Sequence, residues 1–221
     1  TTAGLVWVRV RQLLIQREQQ VWYRCDLTGE RPRCELADGL RFIHSDGPEL
    51  DAVALLGQSV REAKQCRAGG NDVWLVLEND DPLFACRTFR HATPMIAQPN
   101  GVLKLPSGVA CLEYSVTASA ARGRGIAPGA WTLIADRLAD EGFSVMITPV
   151  RTDNIPSRRA VEKVGFREVA VMDHWRIGPR RRTSVQPFDD QLGQELAARL
   201  SGRATGSRSF VKWTSTSADW G

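Results

Sequence analysis

The stretch VACLEYSVTASAARGRGIAPGAWTLIADRLADEGFSVMITPV, residues 109–150, decides how this chain is read. Its centre is the turn Arg122, Gly123, Arg124, Gly125, Ile126, Ala127. A strand-like run over residues 109–117 leads in, and a helical run over 126–141 leads out. The backbone N–H groups of the turn therefore stand at a helix N-terminus, where partial positive charge gathers. Gly123 and Gly125 carry no Cβ to obstruct an anion, and Arg122 and Arg124 add full positive charge. The pattern describes an anion seat, although a plain strand-to-helix connection uses the same residue types.

The residues downstream of the turn narrow the reading. Gly142 closes the first helix, residues 143–149 read as a buried strand, and Asp153 or Asn154 caps a second short helix that ends at Gly165. A right-handed crossover places strands 109–117 and 143–149 parallel and adjacent. A P-loop would require Gly-Lys-Ser/Thr, and no lysine stands in the turn. A dinucleotide fingerprint built on Gly123, Gly125 and Gly129 has the wrong spacing. The strand after it ends in Ile147, Thr148 and Pro149, without the acidic ribose partner.

The sequence resembles the GNAT acyltransferase superfamily, whose acyl-CoA loop reads Arg or Gln, two residues, Gly, one residue, then Gly or Ala. Arg122, Gly125 and Ala127 fill that pattern. The second signature of the family, an Asn opening a short helix that ends in Glu-Lys-x-Gly-Phe, matches Asn154 and then Glu162, Lys163, Gly165 and Phe166. The likeness holds at the level of motifs over residues 113–166 and at the level of element order over 41–177. It implies an α/β fold with a mixed, mostly antiparallel sheet flanked by helices, whose single parallel pair splays to admit acyl-CoA. It also implies acetyl-CoA as donor, held by Val116, Thr117, Arg122, Gly123, Arg124, Gly125, Ile126, Ala127, Asn154 and Ser157. Asn154 serves equally well as a helix cap, and for Ser157, in the first helical turn, a structural role is the simpler one.

Acyl transfer to an amine needs a neutral amine, support for the developing oxyanion and a proton for the departing thiolate. The groups that meet these needs must converge on the strand before the turn. Glu113 is its only carboxylate. A catalytic base and an ordinary strand glutamate explain it about equally. Alternation puts Cys111, Glu113, Ser115 and Thr117 on one face and Leu112, Tyr114 and Val116 on the other, so Tyr114 is expected opposite Glu113, toward the core. A bulge, found in this strand in the family, would change that parity. Many relatives place a tyrosine just before Glu-Lys-x-Gly-Phe as the acid; here that position is Val161. Tyr114 and His174 are the candidate substitutes, each with a competing packing or solvated role.

With 221 residues and 43% hydrophobic content, the chain can bury one good core, and no apolar run approaches the roughly 18 residues that span a bilayer. Five cysteines without a C-x-x-C pair argue against a zinc ribbon and a disulfide framework; no metal is expected, and a reducing cytoplasm fits best. The formal charge of +4 suits an anionic ligand. Arg180, Arg181 and Arg182 cluster, but no recognition helix or stacking motif accompanies them, so a solvated linker is preferred to a nucleic-acid contact.

The expected organisation is an accessory segment at 1–38, an acyltransferase domain at 39–178 and a basic, flexible tail at 179–221. Residues 4–17 are expected as helix and 19–27 as extended. Residues 48–67 are expected as one helix, 72–78 and 83–91 as a hairpin, and 188–200 as a helix within the tail. The function implied is direct transfer, most simply of acetyl, to a small-molecule amine in a ternary complex. A non-catalytic acyl-CoA sensor is the alternative, and a homodimer is left open.

Overall fold

A computed structural model describes residues 15–98, 100–178 and 180–201. The element order is β1 (Ile15–Asp26), β2 (Leu40–Ser45), a 3₁₀ segment (Pro48–Leu56), α1 (Val60–Ala68), β3 (Asp72–Glu78), β4 (Asp81–Phe89), β5 (Ala92–Pro94), β6 (Val102–Lys104), β7 (Val109–Thr117), α2 (Ile126–Asp140), β8 (Val145–Arg151), α3 (Ile155–Glu162), β9 (Arg167–Ile177), β10 (Arg180–Pro187) and α4 (Gln191–Leu200). Eight strands form one sheet in the order β10-β9-β1-β8-β7-β4-β3-β2, and β5 pairs with β6 as a separate arm. Every adjacent pair in the large sheet is antiparallel except β7 and β8. The expected mixed sheet with one parallel pair is what the chain forms.

Two apolar layers sandwich this sheet. On one face α2 and α3 cover Tyr23, Phe84, Leu112, Met146 and their neighbours. On the other, the 3₁₀ segment, α1, α4 and the β5–β6 arm cover Trp22, Leu75, Cys111, Ile147 and Met172. Alternation along each strand sends successive residues to opposite layers, and because both layers are covered the strands read as apolar runs. The β3–β4 hairpin is fixed locally: Asn79 and Asp80 both take left-handed φ, 50° and 69°, as its two-residue turn demands. Asp72 at the start of β3 is buried, and its charge is met by Arg67 and Arg90.

Three regions differ from the reading of the sequence. Residues 15–26 are not accessory: β1 lies inside the sheet, antiparallel to β8 on one side and to β9 on the other. Of the helix expected over 4–17, residues 15–17 are strand and the remainder lies outside the described residues. The pattern of β1 is that of a strand with both faces buried, and nothing local in such a pattern says which strands will flank it. The helix expected over 48–67 is two pieces, because Gly57 turns left-handed (φ 73°) and Ser59 caps α1 afresh, its side chain accepting from the Glu62 N–H.

The tail differs most. Residues 180–187 pair with the outer edge of β9 from Ile177 back to Ala170, and α4 buries Leu192, Leu196 and Leu200 against the core. Asp190 caps α4 through the Gly193 N–H and pairs with Arg24 and Arg167. Gly193 lets the helix approach β9: a Cβ there would lie 2.1 Å from the Val169 carbonyl oxygen. Residues 202–221 lie outside the described residues. Leu196→Ala is expected to cost about 2–5 kcal/mol, seen as a lower urea midpoint at unchanged slope. A change below about 0.5 kcal/mol, within the range of surface substitutions, would show that α4 does not support the fold.

Candidate active site

β7 and β8 share only three rungs, Val109 with Val145, Ala110 with Met146 and Cys111 with Ile147. Beyond them the strands part, and the wedge opens at their carboxyl ends, the usual place for a ligand in sheets with parallel strands. The turn into α2 stands at this opening. Gly123 and Gly125 have φ of 81° and 74°, which a side chain would strain, and an added Cβ on either would meet nothing within 4 Å. Backbone conformation, with open space above it, is therefore the reason for both glycines. Gly125 is the N-cap of α2 and supplies no side chain, so the first N–H groups of the helix face outward uncapped.

The two arginines of the turn separate in use. Arg124 pairs with Glu78, Nη1 to Oε2 at 3.1 Å, and this partner holds the Glu78 carboxyl below its ordinary range. Arg122 is exposed and makes no ion pair among the described residues. Across the wedge, Asn154 caps α3, its Oδ1 accepting from the Ser157 N–H at 3.3 Å. Val116 and Thr117 end β7 at the mouth, half-buried. Uncapped N–H groups, an exposed arginine and an open left-handed turn suit a phosphate-bearing ligand.

The strand parity expected for β7 does not hold. Pairing runs Ala85 to Val116 and then Arg87 to Glu113, so β7 spends one residue more than β4, and Tyr114 takes the left-handed φ of 55°. That conformation costs a non-glycine residue roughly 1–2 kcal/mol. Gln58 holds the bulge by donating from Nε2 to the Tyr114 carbonyl at 2.6 Å. The Tyr114 ring lies 4.6 Å from the Arg87 guanidinium and 6.2 Å from Phe89, on the same side as Glu113, and is 42% exposed. Ser115 turns the other way, accepting from Trp131 Nε1 at 3.2 Å. Burial first, and then Glu113, raise the Tyr114 phenol above its ordinary value, while Arg87 opposes them.

Glu113 is enclosed at its carboxyl. Thr93 Oγ1 donates to Oε1, and Cys111 Sγ lies 3.6 Å from the same atom. Burial pushes its pKa up to about 7; the Thr93 and Cys111 hydrogen bonds pull it down, and the charge of Glu18 raises it further. The Cys111 thiol is itself pushed well up by burial, which keeps it protonated and unreactive. His174 is buried, with Nδ1 2.9 Å from Thr183 Oγ1, and burial lowers its pKa. Val161 is packed in the core. Tyr23 lies on the opposite face from Glu113, hydrogen-bonded to Glu168 and Arg158, and is pushed up to about 12, chiefly by burial.

Thr93, Gln58 and Arg87 were not singled out by sequence. Thr93 belongs to a three-residue strand in a stretch rich in Pro and Gly, and Arg87 reads as one more polar position on a hairpin. A cavity of about 560 Å³ lies elsewhere, by Arg90, Lys104 and Arg199, at the start of β7; Arg90 and Arg199 are already paired with acids. No group of three or more metal-ligating side chains occurs among the described residues, and no helix there is long and apolar enough to cross a membrane.

A raised carboxyl has a definite linkage sign. Folded Glu113 binds its proton more tightly than the unfolded chain does, so its effect on stability is absent below the unfolded pKa and turns destabilising as pH rises toward 7. Glu113→Gln is therefore expected to stabilise the fold at pH 8 relative to pH 5, by up to about 3 kcal/mol at 1.36 kcal/mol per unit. Urea melts at both pH values measure it. Equal effects at the two would show that the carboxyl is not held protonated by burial.

A model of the acetyltransferase (GNAT) family matches residues 22–166. A search of curated proteins finds no match. Among solved structures, a Drosophila protein superimposes with a TM-score of 0.54 at 12% identity, over 80% of this chain and 57% of that one. A GCN5-related N-acetyltransferase from Kribbella flavida gives 0.52 at 15% identity, over 80% and 64%. A GNAT-family protein from Novosphingobium aromaticivorans gives 0.51 at 18% identity, over 73% and 64%. The chain thus spans less than two thirds of the length of these structures, and at such identities they attest the fold alone. The family match covers well over half of the sequence, and it includes β7, the glycine turn and the Asn154 helix: this chain belongs to the GNAT acetyltransferase family.

Proposed function

We propose that the protein transfers an acetyl group from acetyl-CoA to the nitrogen of a small-molecule amine, directly and in a ternary complex. The observation that carries this reading is Glu113, a carboxyl with a pKa of about 7 beside the bulge of β7, on the strand that parts from β8 to form the wedge. A base poised near neutrality can take a proton from an ammonium or from a water bound to it. Acetyl-CoA supplies an activated thioester carbonyl, and the protein supplies the rest. Arg122 and the N–H groups of Gly123, Arg124, Gly125, Ile126 and Ala127 bind its pyrophosphate. Val116, Thr117, Asn154 and Ser157 line its arm. Arg124 shares its charge with Glu78 and contributes less than Arg122.

Tyr114 is the proton donor in this reading. The bulge brings its phenol to the side of Glu113, and a phenol held above its ordinary pKa keeps its proton until the thiolate needs it. A thiolate whose conjugate acid has a pKa of about 8.5 leaves with modest help. Tyr114→Phe is therefore expected to lower kcat by about 10²-fold, at the low end for general acid catalysis.

Free coenzyme A release over a panel of amines, with product mass, tests the activity. kcat/KM should rise with pH through about 7 as Glu113 ionises, and Glu113→Gln should flatten that limb. Gly125→Glu should abolish acetyl-CoA binding in calorimetry while leaving the melt normal. Unchanged affinity would refute the placement of the pyrophosphate. Val161, where many relatives carry a tyrosine, favours one other reading, a sensor that binds acyl-CoA without turnover. Tight binding with no coenzyme A release across the panel would select it.

A further inference from the structure

The joint between the 3₁₀ segment and α1 is tied to the bulge of β7 by one side chain. Gly57 turns left-handed, the Gln58 N–H returns to the Val53 carbonyl at 3.1 Å, and Ser59 begins α1. Gln58 is therefore anchored at its backbone. Its side chain reaches a strand 56 residues later, where Nε2 donates to the Tyr114 carbonyl at 2.6 Å.

The other end of the Gln58 amide is used as well. Arg87 Nη2 lies 3.4 Å from Gln58 Oε1 and 3.4 Å from the Ser59 carbonyl, and Arg87 Nη1 lies 3.5 Å from Glu62 Oε2. These neighbours settle which way the amide points. Turned over, its oxygen would face the Tyr114 carbonyl and its NH₂ would face the guanidinium, acceptor against acceptor and donor against donor. Arg87 is 3% exposed, and its Nε has no partner among the described residues. A buried guanidinium whose polar contacts are few and long loses heavily if one of them leaves, so Gln58 Oε1 is held where it is.

The bulge needs this tether. Pairing passes from Ala85 with Val116 to Arg87 with Glu113, so Tyr114 and Ser115 drop out of the ladder, and a carbonyl released in this way requires another partner. Residue 114 is also a tyrosine at φ 55°, a conformation whose cost is of the same order as the net gain from one hydrogen bond. One bond to the bulged backbone is thus enough to decide the balance. In a regular strand the side chains of residues 113 and 114 point to opposite faces. The left-handed residue brings both to one face, where the Tyr114 ring lies 4.6 Å from the Arg87 guanidinium and feels the charges of Glu113 and Glu62.

We propose that Gln58 is a positioning residue for Tyr114: by binding the Tyr114 carbonyl it keeps β7 bulged and the phenol on the side of Glu113, while Arg87 keeps the Gln58 amide correctly turned. This inference rests on the reading of Tyr114 as proton donor and adds to it the group that puts the donor in place.

The test compares Gln58→Leu, which removes both ends of the amide, with Gln58→Glu, which still accepts from Arg87 but has no N–H for the Tyr114 carbonyl. Each is checked for a normal melt. Gln58→Glu serves alone if the leucine variant, with Arg87 short of an acceptor, does not fold. Both are expected to lower kcat about as far as Tyr114→Phe, roughly 10²-fold, with KM for acetyl-CoA unchanged. In a Tyr114→Phe background neither should lower kcat further, because the group they position is already gone. A crystal structure of Gln58→Glu should show residue 114 at negative φ and its ring away from Arg87. Full activity in Gln58→Glu, equal losses with and without the Tyr114 hydroxyl, or an unchanged bulge in the variant would overturn the positioning role while leaving acyl transfer intact. If the unaltered protein releases no coenzyme A with any amine, the transferase reading fails by itself. The crystal structure then decides whether Gln58 holds the phenol: a displaced ring supports it, and a ring still beside Arg87 overturns it.

Discussion

The parting of β7 and β8 after three rungs is the constraint on which the rest of this structure depends. Buried backbone N–H and C=O groups require partners, and two strands that separate inside a sheet give theirs up. Each strand survives by keeping its outer neighbour. β8 remains paired to β1 up to Arg151, and β7 remains paired to β4, with the slip at Tyr114 absorbing the divergence. The wedge between them is left with a row of free backbone groups on each wall. Such walls favour a guest that is itself extended and able to hydrogen bond at intervals.

Charge is distributed along this wedge so that its two ends do not cancel. Positive potential lies at the mouth, in the uncapped start of α2 and in Arg122. The negative group lies inside, at Glu113, with no arginine bound to it among the described residues. Arg87, its cross-strand partner, turns instead toward Tyr114, Gln58 and Glu62, and Arg124 is occupied by Glu78. Had Arg87 paired with Glu113, the carboxyl would sit low and could not serve as a base near neutrality. The bulge therefore does more than bend the strand: by placing a ring beside Arg87, it keeps a cation away from the carboxylate.

What could be read from the sequence was local. The turn from Arg122 to Ala127, a cap at Asp153 or Asn154 and a hairpin after residue 78 are each set by residues within a few positions of one another, and the crossover joining β7 to β8 by the one helix between them; the structure forms each, with Asn154 as the cap and Asn79 and Asp80 alone as the turn. What could not be read depends on partners far along the chain. β1 has strand-like residues, but its place between β8 and β9 is settled by segments more than a hundred residues later. α4 reads as a weak helix until Gly193 is seen against Val169. The side of Tyr114 turned on one positive φ, a conformation that no residue type at 113–115 announces. Thr93, which sets the state of Glu113, comes from a strand too short to show a period.

The position of β1 also bears on how the chain reaches this state. β1 emerges in synthesis well before both of its neighbours, β8 and β9, which lie beyond residue 144. Until they are made, a strand that carries Val21, Trp22 and Tyr23 has both edges unpaired and both faces uncovered, the condition under which strands mispair. The half of the sheet formed by β2, β3, β4 and β7 can assemble on its own schedule from neighbouring segments. The other half waits for a closure spanning well over a hundred residues, and contacts so distant in sequence fold slowly. One consequence is vectorial: a ribosome stalled before β8 would hold a half-sheet and a loose apolar strand, a natural client for a chaperone.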